Sequence, residues 1–125
     1  MTESAARVLL VEDDAAIRGA FTLLLEDCGY AVQAAGTGAD ALRLAAAGRP
    51  DVVVLDMGLP DTTGVEVARA LTASSPDKRI PIVALTGRAL ESDRDAAFAA
   101  GCVRYLVKPV STRDLLGAIE ELAAG

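Results

Sequence analysis

The sequence predicts an α/β fold, a doubly wound five-stranded parallel sheet with helices on both faces. Two observations carry that prediction. Short apolar segments alternate five times with longer helical ones over short connections, and such alternation calls for parallel strands joined by crossover helices. The central segment, Val52-Val53-Val54-Leu55, is apolar at every position before it ends on Asp56, as suits a strand covered on both sides. At 125 residues the chain reads as one domain, 1–125, with enough length for a real core.

Taken in order, residues 7–11 (Arg-Val-Leu-Leu-Val) form the first strand and stop at Glu12-Asp13-Asp14. Ile17, Phe21, Leu24 and Cys28 then lie on one helical stripe, closed by Gly29. Residues 30–34 make a weaker second strand, and 37–47, rich in Ala and Leu, a second helix. The Asp56 strand is third. Thr63 and Glu66 have capping-box spacing and open a third helix that runs to Ser74. Residues 75–78 (Ser-Pro-Asp-Lys) make a turn, and 80–85 a fourth strand whose Pro81 is tolerable near its start. Ser92 and Asp95 open helix four, closed by Gly101; 103–107 is the fifth strand. Ser111 and Asp114 open a last helix carrying Leu115, Ile119 and Leu122.

Composition narrows the function. Twelve basic against eighteen acidic residues give a net charge of −6, a sign that repels phosphate backbones and argues against direct nucleic-acid binding. Aromatics are 3% and Trp is absent, so base-stacking platforms are lacking. No apolar run approaches the roughly 20 residues of a membrane span, and the first four residues do not open a signal peptide. The expected location is the cytoplasm, away from the membrane. Cys28 and Cys102 are isolated among apolar neighbours and read as buried hydrophobes. The chain has no histidine, so its chemistry must run on carboxylates, hydroxyls, lysine and backbone groups.

The strand ends show which groups those are. Glu12 and Asp13 follow strand one, Asp56 strand three, Thr86 strand four and Lys108 strand five. A parallel sheet brings all of them to one edge, where open α/β sheets place their ligand sites. Three converging carboxylates need a cation or must take up protons. Few, hard oxygen ligands with room for water describe a Mg²⁺ site. A lysine and a hydroxyl beside it suit a phosphoryl group, and with no histidine or reactive cysteine there the nucleophile must be a carboxylate, Asp56. The apolar run ends at Val11, which puts Glu12 and Asp13 at the strand tip and leaves Asp14 to cap the first helix; Asp13 with Asp14 is the alternative metal pair.

Val-Glu-Asp-Asp at 11–14, Leu-Asp-Met-Gly-Leu-Pro-Asp at 55–61, Ala-Leu-Thr-Gly at 84–87 and Tyr-Leu-Val-Lys-Pro at 105–109 together resemble the receiver domain of two-component response regulators, over the whole chain. The resemblance implies a flavodoxin-like strand order, 2-1-3-4-5. It implies that Asp56 accepts a phosphoryl group from a histidine kinase or histidine phosphotransfer protein, and that Glu12, Asp13, Asp56 and the Gly58 carbonyl hold Mg²⁺. Lys108 then contacts the phosphoryl group, Thr86 reorients towards it, and Tyr105 is the switch aromatic. The signal leaves through the face of helix 4, strand 5 and helix 5 to a downstream effector protein or attached domain. A cis Lys108–Pro109 bond also follows from it. Gly58 and Arg88, two residues past Asp56 and Thr86, stand where the family tunes dephosphorylation; the arginine is expected to shield the phosphoryl group and lengthen its life. The implied protein is a phosphoacceptor switch of single-domain or hybrid-kinase type, with no turnover of outside substrates.

Some positions depart from the family pattern. Gly87 replaces a usual alanine, and Val110 a frequent phenylalanine, a change familiar in stand-alone and hybrid-kinase receivers. The last helix lacks the charges of the winged-helix transcription factors' dimer face. Among rival readings, Gly36-x-Gly38-x-x-Ala41 with Asp56 twenty residues on imitates a dinucleotide fingerprint. It follows the second strand, however, and leaves Glu12, Asp13, Thr86 and Lys108 without roles. An aspartyl phosphatase would need a second acid where Gly58 stands, and a degenerate receiver would be expected to have lost one of the five positions that are all present here.

Overall fold

A computed structural model of the chain describes residues 5–74, 79–87 and 90–124. The expected turn at 75–78 and Arg88 lie outside the described residues. The strands are β1 (Arg7–Val11), β2 (Ala31–Ala35), β3 (Val52–Asp56), β4 (Ile82–Thr86) and β5 (Arg104–Val107). The helices are α1 (Ala15–Asp27), α2 (Gly38–Gly48), α3 (Gly64–Ser74), α4 (Glu91–Ala99) and α5 (Thr112–Ala124). All strand pairings are parallel, in the order β2-β1-β3-β4-β5, as the resemblance implies.

Successive strand residues point to opposite faces, and the core divides accordingly. Leu9, Val11, Val53, Leu55, Ile82 and Ala84 pack with Ala41, Ala45, Val67, Leu71 and Ala97 from α2, α3 and α4. Val8, Leu10, Val52, Val54, Val83 and Leu85 pack on the other face with Leu25 of α1 and Leu115, Ala118 and Ile119 of α5. Every residue of β3 is buried, which explains its unbroken apolar run. Pro81 stays just outside β4, where its carbonyl accepts the Val53 N–H at 3.0 Å, so β4 starts two residues later than expected. β2 and β5 each begin one residue later as well.

Caps account for most helix ends. Asp14 accepts from the Ala16 and Ile17 N–H groups, Thr63 from Glu66 and Ser111 from Asp114. Gly29 and Gly101 end α1 and α4 with φ of 97° and 114°, a conformation that costs glycine little. Two expectations fail. Helix α4 opens one residue before Ser92, because the Leu90 carbonyl already accepts from Asp93 and Arg94, and Leu90 makes no side-chain cap. Helix α2 ends on Arg49 at φ 44°, with Gly48 still inside the helix.

The α1 stripe is also turned from its expected position. Ile17 and Cys28 are exposed, Phe21 and Leu24 half-buried, and Leu25 is the residue of the helix that is fully buried. The half-buried residue one turn ahead of Phe21 is Arg18, whose charge disguises the inward line in the sequence. Cys102, by contrast, is buried, and burial pushes its thiol up to about 11. If the inward line runs through Leu25, Leu25→Ala should cost about 2–4 kcal/mol of unfolding free energy by urea titration. Ile17→Ala should cost under about 1 kcal/mol.

Candidate phosphoacceptor and metal site

Among the described residues the buried polar or charged side chains are Glu12, Asp56 and Thr86. All three stand at the carboxyl edge of the sheet. Burying a carboxylate is costly unless it is paired or hydrogen-bonded, so their concentration at one edge marks that edge as functional.

Strand pairing builds the cluster. Val11 lies opposite Leu55 in the central β1–β3 ladder, which sets Glu12 beside Asp56. The Glu12 N–H continues the sheet by donating to the Ala35 carbonyl at 2.9 Å, and its side chain is 1% exposed. One carboxylate oxygen accepts from the Asp14 N–H at 3.1 Å, the other from Lys108 Nζ at 3.1 Å. Asp56 Oδ1 accepts from the Gly58 N–H at 3.0 Å, and Oδ2 lies 3.2 Å from Lys108 Nζ. Asp13 is exposed, yet Glu12, Asp13 and Asp56 each offer an oxygen within 4.8 Å of the others. Asp14 is spent on the helix cap, so the pair at the strand tip is Glu12 with Asp13.

The charges respond to this crowding. Burial pushes the Glu12 carboxyl up, against the opposing hydrogen bond from Asp14, and the neighbouring Asp56 adds to the rise. Hydrogen bonding with Glu12, and then with Asp56, pulls Asp13 down. Burial works against the Lys108 charge, but its hydrogen bond to Glu12 and the attraction of Asp56 outweigh that, and its ammonium is held above the usual lysine range. The donor set of three convergent carboxylates, one of them exposed to water, is hard and under-compensated by a single lysine. It fits a small divalent cation such as Mg²⁺.

Thr86 is buried beside the cluster and its carbonyl accepts the Lys108 N–H at 2.6 Å. A cavity of about 400 Å³ opens from Asp56 past Gly58, Thr86 and Gly87 to Tyr105. Tyr105 is half-buried, its ring tilted against Phe98 at 6.5 Å between ring centres. The Lys108–Pro109 bond is cis. A Cβ on Gly87 would meet nothing within 4 Å, so packing does not demand glycine there.

The motif-bearing residues thus converge as a group. A sequence model of the response regulator receiver domain matches residues 8–120. The chain belongs to that family. Receiver domains are signalling modules, and this one is similar to Response regulator MprA of Mycobacterium leprae, at 40% identity over 116 residues, 93% of this chain and 50% of that protein. The corresponding protein of Mycolicibacterium vanbaalenii is 41% identical over 93% of this chain and 49% of its own length. The receiver spans about half the length of these curated relatives. Among solved structures it resembles the chemotaxis protein CheY4 of Vibrio cholerae, with a TM-score of 0.89, 34% identity, and coverage of 94% and 98% of the two chains. The receiver domain of the sensor histidine kinase PA1611 of Pseudomonas aeruginosa, solved with a magnesium ion coordinated in its active site cleft, gives a TM-score of 0.87, 31% identity, and coverage of 97% and 99%. No helix among the described residues is long and apolar enough to cross a membrane.

Two residues near the site have roles that the motifs do not assign, although Asp61 closes the 55–61 motif. Arg18 Nη1 donates to the Glu12 carbonyl at 2.8 Å and the Asp13 carbonyl at 3.4 Å. Asp61, in the loop after β3, accepts from the Gly38 and Ala39 N–H groups at 2.8 and 3.1 Å. That second contact also disposes of the dinucleotide reading, because the α2 amides a pyrophosphate would need already hold a carboxylate. The Gly38 hydrogen bond holds the Asp61 carboxyl below its usual range. A carboxyl lowered by folding adds stability above its unfolded value, about 4, and loses it as pH falls through the folded value. Thermal unfolding should therefore separate the parent from Asp61→Ala at pH 7, and the gap should close towards pH 3.

Proposed function

We propose that Asp56 is the phosphoacceptor of a signalling switch and that Glu12, Asp13, Asp56 and the Gly58 carbonyl hold the Mg²⁺ it needs. The observation that carries this reading is the meeting of three carboxylates within 4.8 Å with Lys108 Nζ 3.2 Å from Asp56. These 125 residues contain no histidine, so the phosphohistidine donor lies outside this receiver domain, on a histidine kinase or histidine phosphotransfer protein. A carboxylate oxygen of Asp56 attacks phosphorus, the P–N bond breaks, and the imidazole leaves with its electron pair and takes a proton. Lys108 balances charge on the phosphoryl oxygens, and the Gly58 N–H holds the carboxylate in place. Bound Mg²⁺ supplies charge neutralisation for the incoming phosphate. Gly58 offers no side-chain acid to protonate a leaving group, which favours a switch over an enzyme acting on outside substrates. The cytoplasm, where nucleotide-fed kinases work, is the proposed location.

The output reading rests on Tyr105. It borders both the cavity from Asp56 and Thr86 and a shallow hollow formed with Leu90, Arg94 and Val107. Thr86 and Tyr105 are the proposed switch pair, carrying the change to the α4–β5–α5 face and from there to an effector protein or attached domain. Phosphorylation biases a two-state equilibrium and need create no new fold.

Incubation with a small phosphodonor and Mg²⁺ should add one phosphoryl mass to the parent and none to Asp56→Asn, and chelator should abolish the adduct. An adduct that survives in Asp56→Asn or in chelator overturns the assignment. Beryllofluoride, a phosphoryl mimic, should shift backbone NMR signals across residues 86–108 in the parent and markedly less in Lys108→Ala. Shifts confined to the loops after β1 and β3 would show that no such relay operates.

A further inference from the structure

We propose that the β2–α2 turn, residues 36–39, braces both acidic loops, with Gly36 making room for Arg18 and Gly38 for the Asp61 loop, so that Arg18 and Asp61 act as positioning residues for the metal-binding carboxylates. The proposal rests on the Mg²⁺ reading above and adds to it residues that touch neither metal nor phosphate.

The turn brings no chemical group to the site, yet Gly36 is pressed by Arg18, which holds one site loop, and Gly38 by Thr62, the neighbour of the Asp61 that holds the other. On one side lies the half-buried Arg18. Its Nη1 grips the carbonyls of Glu12 and Asp13, the two residues whose carboxylates enter the cluster. A Cβ on Gly36 would stand 2.8 Å from that same Nη1, so a side chain there would displace the guanidinium. The preceding residue, Ala35, accepts the Glu12 N–H at 2.9 Å. The loop after β1 is therefore held to the end of β2 through its backbone, and by an Arg18 guanidinium that fits into the space Gly36 leaves open.

On the other side lies the loop after β3. Asp61 clasps the Gly38 and Ala39 N–H groups, and a Cβ on Gly38 would come 2.3 Å from Thr62 Cγ2. The loop closes on itself through the Gly58–Thr63 bridge and the Gly64 N–H to the Met57 carbonyl at 3.1 Å. A hold on Asp61 is thus passed to Gly58, whose N–H meets Asp56. Supporting residues of this kind fix the orientation of metal ligands, and their loss weakens metal binding without removing a ligand.

The bland alternative is that Arg18 and Asp61 only stabilise the fold. A Mg²⁺ titration of the full chain, followed by backbone NMR shifts and paired with thermal unfolding in chelator, separates the two. Arg18→Met, Gly36→Ala and Asp61→Ala should each weaken Mg²⁺ binding about tenfold, and Arg18→Lys should recover most of the loss. Gly36→Ala should have no further effect once Arg18→Met is present, because it acts by displacing that guanidinium. Arg18→Met and Asp61→Ala should add, since they hold different loops. Single variants that bind Mg²⁺ within about twofold of the parent, or Gly36→Ala and Arg18→Met losses that simply add, overturn the brace. So does a loss that Arg18→Lys leaves in place while the unfolding temperature drops in step. Failure of the parent itself to bind Mg²⁺ is a separate result, which removes the metal reading and the brace with it.

Discussion

Glu12, just past the end of β1, and Asp56, the last residue of β3, meet at the sheet edge, both nearly excluded from water, and that enforced meeting of like charges governs the rest of the site. At about 4 Å two carboxylates repel by roughly 4 kcal/mol in surroundings of intermediate polarity. Among the described residues, Lys108 is the cation in contact with both, at 3.1 and 3.2 Å. It starts from the end of β5 and reaches over the tip of β4, a span of roughly 10 Å given the spacing of strands. A long unbranched side chain is suited to that reach. The Thr86 carbonyl holds the Lys108 N–H, so the backbones that carry lysine and threonine are tied together.

One lysine does not neutralise three carboxylates. The crowding shows in the acidities: burial raises the Glu12 carboxyl, hydrogen bonding lowers Asp13, and the lysine holds its charge more tightly. A site in that condition is poised for a divalent cation, which takes the carboxylates in their charged form. It is equally poised for a phosphoryl group, whose charge calls on the same lysine. The hydrophobic sheet pays for none of this by itself; the carboxylates survive burial because backbone N–H groups of Asp14 and Gly58 meet them.

The loops that bear these groups are short and would wander if tethered only at the strand tips. Asp61 ties one of them to the start of α2, and Arg18, seated in the space beside Gly36, holds the other, both next to the one strand end without chemistry of its own. That division, chemistry at four strand ends and support at the fifth, explains why Gly36 and Gly38 imitate a phosphate-binding motif while serving another purpose. A close approach demands glycine whatever it is that approaches, whether a pyrophosphate or an arginine.

The order of strands and helices, the edge carrying Glu12, Asp13, Asp56, Thr86 and Lys108, and the cap on Asp14 were all legible in the sequence, because each depends on local patterning: apolar runs, short-range capping and residues placed just past a strand. The inward face of α1, the opening of α4 and the ending of α2 on Arg49 were not. Arg18 looks solvent-facing until the Glu12 and Asp13 carbonyls are in place to receive it, and Ser92 looks like a cap until the Leu90 carbonyl takes the first hydrogen bonds. Asp61 closes the 55–61 motif without a role that the motif assigns. Its partner lies 23 positions away, and only the packing of α2 beside the loop after β3 brings the two together. What the chain decides locally it declares in its sequence; what depends on two distant segments meeting is decided by the tertiary fold, because neither segment alone carries the geometry of the contact.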